Sequence, residues 1–270
     1  MQRLRRADRR GGAAVSARVR VGTVGFPVRD RRRVLAAVDV VELTDGRIDP
    51  PSKAAARRFR RTWPASVAAT VQCSTHLVEP PRGGAPLPGD PRGYGGFEAS
   101  PENAALWERC ADHAAAVSAT ALVVITPPSF TPGPPNLARM AAFFAAMDRH
   151  GLAVVWEPHG PWEHRRSAAL AAEMGLTLAV DPLRDPAPDG DAAYFRLGPF
   201  AAMGSRLGAY DLERLADATA PFADVCCVLD TPRALDDVRN LKAVLAGAAP
   251  EDVGDGGEEG ENGAEPDAED

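Results

Sequence analysis

The run Ala153-Val154-Val155-Trp156-Glu157-Pro158-His159-Gly160-Pro161-Trp162 decides how the rest of the chain is read. An apolar stretch reaches a glutamate and then turns at once through Pro158, Gly160 and Pro161. A short apolar run bounded by turn residues is the pattern of a strand buried on both faces, as in a parallel sheet. Glu157 and His159 then stand at the C-terminal end of that strand. A helical pattern follows from Trp162 to Met174, with Gly175 as its cap.

The same unit recurs on both sides. Towards the N-terminus, strands are expected at Val19–Thr23, Val38–Leu43, Val67–Gln72 and Ala121–Thr126. Towards the C-terminus they are expected at Leu176–Asp181, Ala192–Leu197 and Val225–Asp230. Helices are expected near Arg31–Ala37, from a capping Ser52 to Trp63, and from an N-cap at Ser100 to Ser118. Others follow at Pro135–His150 with Gly151 as C-cap, at Ala209–Thr219 and at Pro232–Ala246. Eight strands alternating with helices over one domain imply a closed (β/α)8 TIM barrel, an α/β fold. The rival, an open doubly wound sheet, wants a glycine-rich phosphate turn after the first strand. Gly22-Thr23-Val24-Gly25 is too sparse for that. Two irregularities are expected: a long Pro- and Gly-rich loop at Cys73–Ser100, and a sixth connection, Pro182–Asp191, too short for a full helix.

Charge divides the 270 residues into a barrel at 18–246 between two unlike ends. The first twenty residues hold seven arginines and one aspartate, and residues 1–17 read as a basic disordered leader. Residues 247–270 hold ten carboxylates with no Lys or Arg, and such a segment buries too little to order itself. The Ala, Gly, Pro and Arg bias suggests a GC-rich genome, and the acidic tail a halophile. No apolar run approaches the ~18 residues of a membrane span. With no secretory h-region either, a cytoplasmic location without membrane contact is expected. The basic leader lacks an aromatic platform, which argues against a nucleic-acid partner. Cys73, Cys110, Cys226 and Cys227 show no Cys-x-x-Cys spacing and read as buried, reduced thiols. Oligomeric state is not legible.

In a barrel, the strand C-terminal ends converge on one face, so ionisable residues there form the candidate site. Glu157, His159 and Asp181 are the candidate catalytic groups: Glu157 as acid/base, with His159 and Asp181 assisting or binding metal. Glu42, Gln72, His76, Arg196 and Asp230 are the candidate ligand-binding groups. Arg196 would either clamp an anion or pair internally with Glu157 or Asp181. A Glu/His/Asp set would suit a divalent cation such as Zn²⁺ or Mn²⁺, although no fixed ligand spacing marks one, and the metal and cofactor remain unassigned. P-loop, Gly-x-Ser-x-Gly and Cys/His zinc patterns are absent from the sequence. The remaining histidines, His113, His150 and His164, read as helix residues without a chemical role.

Taken together, the motifs resemble the DUF72 (YecE-like) family, in its archaeal-type branch, over Val19–Leu245. The resemblance rests on Val21-Gly22-Thr23-Val24-Gly25-Phe26-Pro27, Val40-Val41-Glu42-Leu43, Asp49-Pro50-Pro51-Ser52, Trp63-Pro64 and Thr75-His76. It continues through Pro127-Pro128-Ser129-Phe130, Trp156-Glu157-Pro158-His159-Gly160, Val180-Asp181-Pro182 and Tyr194-Phe195-Arg196-Leu197. It implies a TIM barrel and supplies no reaction. The chain departs from the family pattern at several places: Gly46-Arg47-Ile48 replaces Thr-Phe-Tyr, and Gln72 stands for a lysine. Likewise His159 stands for an arginine, Gly198 for a histidine and Asp230 for an asparagine. Two functions follow as expectations. One is a hydrolase, lyase or isomerase acting on a small polar, phosphorylated or sugar-like compound through the strand-end acids. The other is a catalytically degenerate barrel that binds a small-molecule ligand or regulates.

Overall fold

Alternation along each strand sorts the side chains into two cores. On β2 (Val40–Leu43), Val40 faces the barrel interior while Val41 and Leu43 face the helices. Val123 of β4 (Ala119–Thr126), Val155 of β5 (Ala153–Pro158) and Val228 of β8 (Asp224–Leu229) also fill the interior. Their neighbours Val124, Trp156 and Leu229 belong to the larger outer core beneath the helices. A strand apolar on both faces is stable only in a sheet covered on both sides, and this requirement is met by closure.

The computed structural model describes residues 18–81, 87–198 and 207–249. The remaining strands are β1 (Arg18–Val24), β3 (Ala68–Gln72), β6 (Thr177–Val180) and β7 (Ala192–Leu197). All neighbours pair in parallel and in chain order, and the ring closes where β1 meets β8, Arg18 opposite Asp224. The α-helices of the described residues are α1 (Arg31–Ala37), α2 (Lys53–Arg60), α3 (Pro101–Ala116), α4 (Pro134–Ala146), α5 (His164–Glu173), α6 (Ala209–Thr219) and α7 (Ala234–Leu245). This is the single-domain (β/α)8 barrel expected from the strand count, and β6 runs on to β7 without a helix. The expected leader lies outside the described residues, as does the tail beyond Ala249.

Helix ends follow local chemistry. Ser52 and Ser100 cap α2 and α3, their hydroxyls accepting from the amides of Ala55 and Asn103. Two expectations need correction. First, α4 stops at Ala146 rather than His150, because the Asp148 carboxylate accepts the His150 amide at 2.8 Å and holds a turn instead. Second, α5 starts at His164 rather than Trp162, since the Glu163 carboxylate caps it by accepting from Arg165 and Arg166. Trp162 instead packs edge-on against Trp156 and donates its Nε1–H to the Phe130 carbonyl. All four cysteines are free and buried, and burial pushes the Cys226 thiol up to about 12.

Candidate functional site

Two residues beyond Val40 on the inward face of β2 comes Glu42, fully buried. A carboxylate there is tolerable only if its oxygens are satisfied. Oε1 accepts from Arg196 Nε at 3.0 Å and from the Gln72 side-chain amide. Oε2 accepts from the Tyr194 hydroxyl at 2.6 Å. With the phenol proton given to Glu42, the Thr70 hydroxyl donates to Tyr194 at 3.0 Å. Burial pushes the Tyr194 phenol well above its ordinary range and the Glu42 charge adds to this, so Tyr194 stays a donor.

Arg196, 6% exposed on β7, is the centre of the mouth. Its Nη1 donates to Glu157 Oε1 at 3.0 Å, and its Nη2 lies 3.8 Å from Asp230 Oδ2. Burial alone would lower its pKa; the Glu42 and Glu157 carboxylates outweigh that and raise it. Of the two expectations for Arg196, the structure shows internal pairing. The partners are Glu42 and Glu157, whereas Asp181 pairs with Arg184 at 3.3 Å. Glu157 also meets His159, whose Nε2 lies 3.0 Å from Oε1. The backbone places that imidazole: the His159 amide donates to Thr126 of β4. Gly160, at φ +97°, then turns so tightly that a Cβ would lie 2.8 Å from Pro128 Cα.

Two chambers open over this network. One, of about 690 Å³, is bordered by Gln72, His159, Arg196 and Asp230, with Arg47 and Glu79 at its edge. The other, of about 330 Å³, is bordered by Glu157, Asp181 and Arg184. His159 and Arg196 line both and form the wall between them. Asp181 thus reaches the second chamber, with its carboxylate engaged by the Leu183 amide and Arg184, and burial raises its pKa. His76 is the exception among the candidates. It folds into a short turn under the β3–α3 connection, its Nδ1 3.0 Å from the Glu79 carbonyl, and borders a separate depression of about 1000 Å³.

Tyr194 and Thr70 complete the network and were not among the candidates. Tyr194 precedes Arg196 by two residues, so alternation puts both on the inward face of β7. Thr70 stands in the same relation to Gln72 on β3. As for a metal, no three His, Cys, Asp or Glu side chains among the described residues gather to hold one. Glu42, Glu157 and Asp230 converge instead on Arg196, whose guanidinium stands where a cation would. No helix of the described residues is long and apolar enough to cross a membrane.

No family model and no curated protein matches the sequence. Solved structures do. A DUF72 family protein from Enterococcus faecalis superposes with a TM-score of 0.60 at 15% identity, over 85% of this chain and 98% of its own. A DUF72 family protein from Thermotoga maritima gives 0.62 at 14% identity, over 85% and 99%. The fold is that of the DUF72 proteins. Nearly the whole length of each DUF72 chain is covered, so the likeness spans the barrel from β1 to α7 and not a sub-motif.

Proposed function

We propose that the chain is a DUF72 family member whose barrel mouth performs acid–base chemistry on a small polar, sugar-like compound, as a hydrolase, lyase or isomerase. The observation that carries this reading is the Glu157–His159 pair, 3.0 Å apart where the two chambers meet. A carboxylate held in place by Arg196 and touching an imidazole can take a proton from a bound compound and pass it on. His159 is 38% exposed in its side chain, so it links the buried carboxylate to solvent. Asp181 assists from the second chamber. Asp230, Gln72 and Glu42 bind or position, and the larger chamber falls within the ~300–1,000 Å³ typical of ligand sites.

The test is turnover. A substrate would be identified by retaining compounds from a metabolite mixture on the full chain and reading them by mass spectrometry. Glu157→Gln is then expected to lower kcat by roughly 10²–10⁴. Unchanged turnover would remove Glu157 from the chemistry. A second reading, a binding or regulatory barrel without turnover, draws on Arg196: its Nε and Nη1 donate to Glu42 and Glu157 and its Nη2 faces Asp230, so the guanidinium is engaged in holding protein carboxylates. Retention of a compound that the wild-type chain never converts would favour that reading.

A further inference from the structure

Two buried acceptors at the mouth lack a donor, and this says what it holds. Gln72 is 3% exposed and lines the larger chamber. Its amide nitrogen is given to Glu42, which fixes the orientation of the amide, because a flip would set two oxygens against each other. Its Oε1 is then left buried with no donor. Glu157 Oε2 receives no hydrogen bond either: it lies 3.0 Å from Arg196 Nη1 but out of alignment with its N–H groups, one of which goes to Oε1. An orphaned buried acceptor costs free energy that a ligand can recover only by presenting N–H or O–H groups.

Charge points the same way. Glu42, Glu157 and Asp230 surround one guanidinium, so this network is two charges negative before any charge on His159 is counted. Further out, Arg184 pairs with Asp181, and Arg47 and Glu79 both border the larger chamber, one charge of each sign. A phosphate would meet this excess at a guanidinium already paired with carboxylates.

We propose that the site takes an amine-bearing, hydroxyl-rich compound, an amino sugar or amino polyol, and rejects phosphorylated ones. The ammonium and hydroxyl groups would donate to Gln72 Oε1, Glu157 Oε2 and Asp230. This rests on the mouth being a small-molecule site, as proposed above.

The experiment uses a matched series, glucosamine, glucose and glucose 6-phosphate, titrated into the full chain at constant ionic strength and followed by thermal unfolding and calorimetry. Glucosamine is expected to bind at least about tenfold more tightly than glucose 6-phosphate, with glucose between them. Glu157→Gln, which removes a charge and keeps the shape, is expected to erase most of the preference for the amine. Gln72→Leu should weaken glucosamine and glucose alike. Phosphate binding as well as amine, or no binding by any of the three, would overturn the proposal. If the mouth instead retains and converts an anionic metabolite, and Glu157→Gln stops that conversion, the ligand class is wrong while the acid–base site stands.

Discussion

Removing the Arg196 guanidinium leaves the Glu42 carboxylate fully buried with only neutral donors, Gln72 and Tyr194. Breaking a buried ion pair from one side costs roughly 3–5 kcal/mol, and Arg196→Ala is expected to lose that much in denaturant unfolding. A loss under about 1 kcal/mol would mean that the network contributes little to the fold. His113 gives a prediction of a different kind. It is fully buried on α3, neither ring nitrogen has a hydrogen-bond partner, and Asp45 Oδ1 lies 3.5 Å away. Burial lowers its pKa and Asp45 only partly opposes that. The unfolded chain therefore binds this proton more readily than the folded one. The stability linked to His113 is complete above the ordinary imidazole value of about 6.5 and is lost as pH falls through it. Between pH 7.5 and 5.5 the wild-type Tm should fall more than that of His113→Phe; equal falls would contradict this. At this scale the sequence was only partly legible. Glu42, Gln72, Glu157, Arg196 and Asp230 could be read because ionisable or amide groups stood at the ends of apolar runs. Tyr194 could not, because a strand tyrosine reads first as packing. His76 was drawn aside by its own turn, which no strand pattern could foretell.

The strand ends decide how the site is held. Gly198, at φ +111°, ends β7 against β8, and a Cβ there would lie 2.1 Å from the Asp230 carbonyl oxygen. A side chain at that position must push β7 and β8 apart just where Arg196 and Asp230 face each other. Gly198→Ala is therefore expected to cost roughly 1–3 kcal/mol in stability from the backbone strain alone. It should also weaken ligand binding at the mouth, measured by calorimetry. Wild-type binding in a destabilised variant would separate the turn from the site. The element boundaries that sequence reading missed have the same origin. Helix periodicity carries on past Ala146 and begins at Trp162, but the Asp148 and Glu163 carboxylates compete for the backbone amides there and move both ends. Strands were the better-marked elements, since each apolar run is short and closes on Pro, Gly or a polar residue.

Across the whole molecule, the order of units was enough to expect closure. Eight parallel strands in sequence order leave no open edge, and β1 pairs with β8 along six residue pairs, from Arg18–Asp224 to Thr23–Leu229. That ring brings the top residues of β2, β3, β5, β7 and β8 within one network of hydrogen bonds and ion pairs, although they span Glu42 to Asp230 in sequence. What sequence could not show is the wiring: that Arg196 serves two carboxylates at once, and that Gln72 Oε1 and Glu157 Oε2 are left as acceptors without a donor. The proposed chemistry rests on the Glu157–His159 pair at the meeting of two chambers. The most direct measurement is retention of compounds from a metabolite mixture by the immobilised full chain, wild type beside Glu157→Ala, read by mass spectrometry. The expected result is a polar, hydroxyl-rich compound held by the wild type and lost from the variant. Equal retention by both chains, or retention of nothing by either, would contradict it.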